Sequence, residues 1–219
     1  MVDQPSQYFA PTPQVASRRR TVTLELEDLS LRLVTDTGVF SGDRVDPGTR
    51  LLLQEAPPPP AGPAHVLDLG CGYGPLAVAL ARRAPAADVW AVDVNERAVG
   101  LCAENAAANG VPAVRAVVVG DDGDPLDPAV SLPRFDLIWS NPPIRIGKPA
   151  LHRLLTTWLD RLTEDGRAVL VVQKHLGADS LARWLGEQGW PTTRLTSRAG
   201  YRLLDVAARP ETSKVEAPS

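Results

Sequence analysis

The stretch HVLDLGCGYGPLAVALARRA, residues 65–84, decides the fold. It begins as a short apolar run and ends with apolar residues at helical spacing. Between the two lie Gly70, Gly72 and Gly74. A strand that passes through a glycine-rich turn straight into a helix is the opening unit of a sheet wound with helices. Glycines in that turn let the main chain bend tightly and come close to a ligand bound at the helix start. The same residues would also suit a turn that only eases strand-to-helix packing.

The following units repeat the pattern. DVWAVDV (88–94) reads as a strand, and NERAVGLCAENAAANG (95–110) as a helix with Asn95 as cap and Gly110 as stop. VRAVVV (114–119) and FDLIWS (135–140) are strands, and LHRLLTTWLDRL (151–162) is a helix closed by Gly166. RAVLVVQ (167–173) is the longest apolar strand, followed by a helix over 176–189. TTRLTS (192–197) and YRLLDVAA (201–208) stand too close for a crossover, so they form an antiparallel hairpin. Upstream, residues 21–36 alternate with period two and break at Glu27-Asp28, the pattern of a β-hairpin. Asp46-Pro47 opens a helix, and APPPPAG (56–62) is a polyproline-like linker. The expected class is α/β, a doubly wound, mostly parallel sheet with an N-terminal hairpin and helix. The expected layout is a tail over 1–20, the hairpin-helix extension over 21–56, a linker over 57–64, the main wound domain over 65–209 and a second tail over 210–219.

At 219 residues, with 44% hydrophobic and 22% charged residues, the chain suits one domain with extensions. The net charge of -3 argues against a binder that grips nucleic acid by general positive charge. The basic residues are 20 Arg and only 3 Lys, which fits a GC-rich genome. Two cysteines make neither a disulfide framework nor a metal site, and His65, His152 and His175 lack ligand spacing. No signal peptide or membrane span is visible, so the cytoplasm is the expected compartment, with no membrane and no metal involved.

The glycine spacing discriminates between ligands. A dinucleotide fingerprint asks for a glycine at 75, where Pro75 stands. Asp68 instead precedes Gly70 by two, giving D-x-G-x-G-x-G. This resembles motif I of class I S-adenosylmethionine-dependent methyltransferases. The resemblance implies a site for S-adenosylmethionine built from Asp68, Gly70, Cys71, Gly72 and Gly74. Asp93 ends the second strand about 20 residues on, where a carboxylate can accept from ribose hydroxyls. Asp121 or Asp122, after the third strand, is implied at the adenine amino group. A solvated acidic loop is the alternative for either.

The strand over 135–140 ends in Asn141-Pro142-Pro143-Ile144. The prolines hold Asn141 out of helical backbone and fix its side chain at the strand end. The Asn141 side-chain oxygen and the Pro142 main-chain oxygen can accept two N–H groups from a planar amine. That orients its lone pair and carries the rate by positioning and electrostatics. The motif resembles that of amino-methylating class I methyltransferases, although Ile144 replaces their common aromatic residue. The longer string Asn141-Pro142-Pro143-Ile144-Arg145-Ile146-Gly147-Lys148 resembles the small-domain family related to bacterial 16S ribosomal RNA guanine-N2 methyltransferases. GVFS (38–41) and DPGTRLLL (46–53) agree with it.

That family implies a seven-stranded sheet whose last strand runs antiparallel to the rest. It also implies a ribosomal RNA or small-subunit partner, guanine N2 as target and a monomer. Asn141 would touch cofactor as well as target. Longer members carry a second, RNA-binding copy of the domain, and this chain has one copy. Pro143, Ile144, Arg145 and Lys148 are placed at the substrate, the two cations either meeting phosphates or lying in a solvated loop. Phe40 either lines the pocket or packs the N-terminal helix. The five tryptophans are expected in packing roles. Two other functions compete. One is methylation of a protein glutamine or a small-molecule amine; the other is a non-catalytic S-adenosylmethionine-binding factor for ribosome assembly.

Overall fold

Along the central strands, neighbouring residues bury alternate faces, which explains why their sequences read as nearly continuous apolar runs. The computed structural model describes residues 15–210. Tail residues 1–14, with Tyr8-Phe9, and 211–219 lie outside the described residues. Strands β1 (Arg20–Glu25) and β2 (Ser30–Thr35) form the expected hairpin. Helix α1 (Pro47–Glu55) follows, with Asp46 as its cap.

The main sheet is then built from β3 (His65–Leu69), β4 (Asp88–Asp93), β5 (Arg115–Val118), β6 (Phe135–Ser140), β7 (Leu162–Gln173), β8 (Thr192–Arg198) and β9 (Tyr201–Ala207). Helices α2 (Pro75–Arg83), α3 (Glu96–Ala108), α4 (Lys148–Leu159) and α5 (Ala178–Glu187) connect them. The spatial order is β5-β4-β3-β6-β7-β9-β8, with β9 antiparallel to both of its neighbours. This is the seven-stranded, mostly parallel, doubly wound sheet expected from the sequence. The chain starts at β3, steps out to β5, and crosses back to β6. The β3/β6 boundary is therefore the switch point, where ligands sit beyond the strand ends.

Val66, Leu137, Trp139, Val169 and Val171 pack with α1, α2 and α3 on one face. Leu67, Ile138, Phe135, Leu170 and Val172 pack with α4 and α5 on the other. Trp90, Trp139, Trp158 and Trp190 are buried, as expected of packing residues. No helix among the described residues is long and apolar enough to cross a membrane.

One boundary differs from the sequence reading. Helix α4 ends at Leu159, and Gly166 lies inside β7 rather than stopping the helix. The pairing of β6 with β7 jumps from Phe135↔Leu162 to Leu137↔Arg167, so an excursion occupies the intervening residues. A Cβ on Gly166 would stand 2.7 Å from the Phe135 carbonyl oxygen and 2.9 Å from Thr163 N. The glycine serves that close approach.

The hairpin is stitched to the domain by Asn105, fully buried on α3. Its side chain accepts from Val34 N at 2.7 Å and donates to Val34 O and Tyr73 O at 2.8 Å each. Asn105→Ala would orphan three main-chain groups and is expected to cost about 2–3 kcal/mol in urea denaturation. An unchanged midpoint would mean that apolar packing and the hairpin's other polar bonds, such as those between Asn109 and Arg32, hold it without Asn105.

Candidate active site

The turn after β3 is shaped by three left-handed glycines, Gly70, Gly72 and Gly74, with φ of 75°, 53° and 91°. Gly70 N and Cys71 N both donate to Val92 O at 2.9 Å, which lays the turn across the end of β4. The glycines differ in purpose. A Cβ on Gly70 or Gly72 would meet nothing within 4 Å, whereas one on Gly74 would stand 2.6 Å from Cys102 Sγ. Gly74 is thus a packing glycine, and the other two keep a cleft open. The Cys102 thiol and burial push the Cys71 thiol well up, as suits a small loop residue rather than a nucleophile.

A small cleft, half open to solvent, lies beside this turn. It is lined by Asp68, Gly70, Cys71, Gly72 and Tyr73 from β3 and the glycine turn, together with Phe40, Ser41, Asp46, Thr49 and Asn141. Asp68 is wholly buried at the end of β3. Its Oδ2 accepts from Ala77 N at 2.9 Å, in the first turn of α2, while its Oδ1 is buried without a partner. Burial pushes its carboxyl up to about 8, the Ala77 N–H works against that rise, and the charge of Asp93 adds to it. Asp93 ends β4. Its Oδ2 accepts from Gly72 N at 2.9 Å and its Oδ1 from Asn95 N at 3.0 Å. Burial raises its carboxyl against the pull of the Asn95, Gly72 and Val94 N–H groups.

Asn141 follows β6 directly. Its Nδ2 donates to Asp46 Oδ1 at 2.8 Å and to Thr49 Oγ1 at 3.1 Å, both on the cap and first turn of α1. Pro142 O already accepts from Ile144 N at 2.8 Å, which leaves its second lone pair. Ile144 packs against the core on the α4/α5 side, and Arg145 and Lys148 are exposed beyond it. Phe40 stands at the cleft mouth, 43% exposed. Ser41 beside it has φ of 56° and donates to Arg44 O at 2.6 Å.

The structure thus gathers Asp68, Gly70, Cys71, Gly72, Phe40 and Asn141 around one cleft, with Asp93 bonded to its glycine turn. Asp121 and Asp122 are exposed past β5; Asp122 Oδ1 closes its own turn by accepting from Asp124 N at 3.0 Å. From the sequence Asp46 reads as a helix cap, and Ser41 and Thr49 enter only as members of the GVFS and DPGTRLLL strings, with no role at the site.

The raised Asp68 carboxyl has a consequence for stability. It is protonated in the folded protein up to about pH 8 and ionised in the unfolded chain above 3.8. The unfolded state therefore releases a proton, and this group's contribution falls as pH rises from about 4 to 8. Asp68→Asn should flatten that fall, worth up to about 5 kcal/mol in urea denaturation across the range. Equal pH slopes in the two proteins would show that Asp68 ionises freely.

Residues 30–205 match the methyltransferase small domain family. The YbxB protein of Bacillus subtilis, itself described only as uncharacterized, is 34% identical over 90% of this chain and 96% of its own length. The ribosomal RNA small subunit methyltransferase C of Pseudomonas aeruginosa is 35% identical over 87% of this chain. The chain spans about half the length of that relative, 55%. Among solved structures, the T. thermophilus 16S rRNA N2 methyltransferase in complex with AdoMet and guanosine superposes with a TM-score of 0.70. It is 27% identical and covers 90% of this chain, which spans 52% of it. A ribosomal protein L11 methylase from Lactobacillus delbrueckii, at 24% identity and TM-score 0.58, shares the fold. The chain belongs to the methyltransferase small domain family, of the S-adenosylmethionine-dependent class that its glycine turn and Asn-Pro-Pro strand end resemble.

Proposed function

We propose that the chain methylates an exocyclic base amine, guanine N2 of 16S ribosomal RNA, acting as a monomer on RNA or on the small ribosomal subunit in the cytoplasm. The observation that carries this reading is the orientation of Asn141. With its amide nitrogen turned to α1, its oxygen is the end left for a target amine, in a cleft also lined by the glycine turn. The relatives named for small-subunit ribosomal RNA and the neighbour solved with guanosine support the choice of target.

The cleft suits S-adenosylmethionine. The buried, unpartnered Asp68 Oδ1 can accept from an ammonium group, whose charge would favour the ionised carboxylate, and Gly70 and Gly72 leave space where a side chain would intrude. Cys71 and Gly74 complete that turn. Asp93 retains lone pairs for ribose hydroxyls, and Asp121, whose neighbour is bound up in its own turn, is the carboxylate assigned to the adenine amino group. The bound cofactor supplies an electrophilic sulfonium methyl, whose bonding pair stays on sulfur as the methyl leaves.

The protein's part is to hold the amine. Asn141 Oδ1 and the second lone pair of Pro142 O each accept one of its N–H groups, which aims the nitrogen lone pair. Both also stabilise the positive charge that grows on nitrogen before a proton passes to solvent. Asn141 borders both cofactor and target. Pro143 and Ile144 shape the strand end. Ile144 is aliphatic and half-buried against the core, so Phe40 at the mouth is the ring available to a flipped base. Arg145 and Lys148 meet phosphate.

Tritiated S-adenosylmethionine offered with ribosomal RNA, with small subunits and with protein fractions tests the target. Label confined to protein would overturn the RNA reading. Asn141→Ala is expected to abolish transfer while leaving cofactor affinity, by calorimetry, within about threefold of the parent. Turnover by that variant would mean that Asn141 does not hold the target amine. Gly72→Ala should weaken cofactor binding with only about 1 kcal/mol lost in stability, because its Cβ enters open space. RNA affinity should depend weakly on salt, and losing Arg145 or Lys148 should lower the log–log slope by about 1 each.

A further inference from the structure

The cap of α1 does more than start a helix. Asp46 Oδ1 accepts from Gly48 N at 2.8 Å and Thr49 N at 3.1 Å, and the same oxygen accepts from Asn141 Nδ2 at 2.8 Å. Thr49 Oγ1 takes a further bond from Asn141 Nδ2, at 3.1 Å. Both hydrogens of the Asn141 amide nitrogen are thereby used. A carboxylate can only accept, so the nitrogen, and not the oxygen, must face α1. Among the described residues no donor bonds to Asn141 Oδ1. The Asp46 carboxylate is itself confined: a Cβ at position 48 would stand 2.9 Å from its Oδ1 and 2.8 Å from the Tyr201 ring, so only Gly48 fits there.

We propose that Asp46 is a positioning residue for methyl transfer. Its carboxylate holds the Asn141 amide with the carbonyl oxygen turned to the target amine, and its charge strengthens that oxygen as an acceptor. This role rests on Asn141 holding the target amine, as proposed for the reaction itself. A carboxylate bonded to an amide N–H polarises the amide and puts electron density on its oxygen. That oxygen then binds the amine more tightly as its nitrogen turns cationic, so the effect is felt in the transition state more than in substrate binding. Thr49 takes the second hydrogen and stops the amide from rotating.

Two variants separate this role from capping. Serine ranks with aspartate as a helix cap but lacks its charge, and its oxygen sits one bond nearer the main chain. Asp46→Ser should therefore keep its melting temperature within a few degrees and its S-adenosylmethionine affinity within about twofold. Its kcat on ribosomal RNA should drop about 10- to 100-fold, with KM for RNA little changed. Asp46→Asn keeps an acceptor oxygen without the charge and should recover part of that kcat. Parent-like turnover by Asp46→Ser, or a loss accounted for by melting or cofactor affinity, would overturn the proposal.

A second readout needs no turnover. In the nitrogen–proton spectrum, the side-chain NH2 pair of Asn141, assigned by its disappearance in Asn141→Ala, should shift and broaden in Asp46→Ser. An unchanged pair would overturn the proposal too. A parent that transfers no methyl to RNA overturns the target assignment instead, and the NH2 signals then decide Asp46 alone.

Discussion

Between Leu69, the last residue of β3, and Pro75, the first of α2, the chain has five residues in which to leave a sheet and enter a helix. Three of the five are left-handed glycines, and two successive main-chain N–H groups are spent on one carbonyl of β4. That compressed turn brings the first turn of α2 over the end of β3. It makes Ala77 N available to Asp68 and leaves two Cα positions bare toward the cleft. Every other part of the site is brought up to this turn: Asp93 by pairing of β4 with β3, Asn141 by pairing of β6 with β3, and α1 by packing on β7, β9 and α2.

The acids beside this turn give the cleft its character. Asp68 and Asp93 flank the glycine turn, and among the described residues neither is in an ion pair. Burial denies both solvation and raises their carboxyls. A cationic ligand would favour their ionised forms, so the pocket suits a ligand carrying positive charge. The overall charge of -3 hides this local arrangement, just as it hides the exposed Arg145 and Lys148 on the other side of Asn141.

Much of the architecture is legible in the sequence because it follows local rules. The period-two hairpin, the caps at Asp46 and Asn95 and the strand–glycine–helix unit all depend on residues within a turn or two of each other. The element whose sequence misleads is also local. Gly166 looks like a helix stop because a glycine after a helical run commonly is one, yet here it permits a close main-chain approach inside β7. What cannot be read is the dual use of Asp46. Its bond to Asn141 spans 95 positions, and nothing in the DPGT string distinguishes a cap that serves only its helix from one that also reaches a neighbouring strand end. The likeness of GVFS and DPGT to a family places both strings near the site without saying what either does there.

The loop after β5 carries Asp121, and its shape is set from behind. Gly123 packs so tightly on α4 that a Cβ there would lie 2.7 Å from Thr157 Cγ2. Arg161, just beyond α4, bonds Asp124 Oδ1 at 2.8 Å and Gly123 O at 3.4 Å. The loop proposed to border the cofactor is thus anchored to residues on the opposite side of the sheet from the glycine turn. Adaptation to an altered nucleoside would be expected to run through Thr157, Trp158 and Arg161, positions that a survey restricted to ligand contacts would pass over.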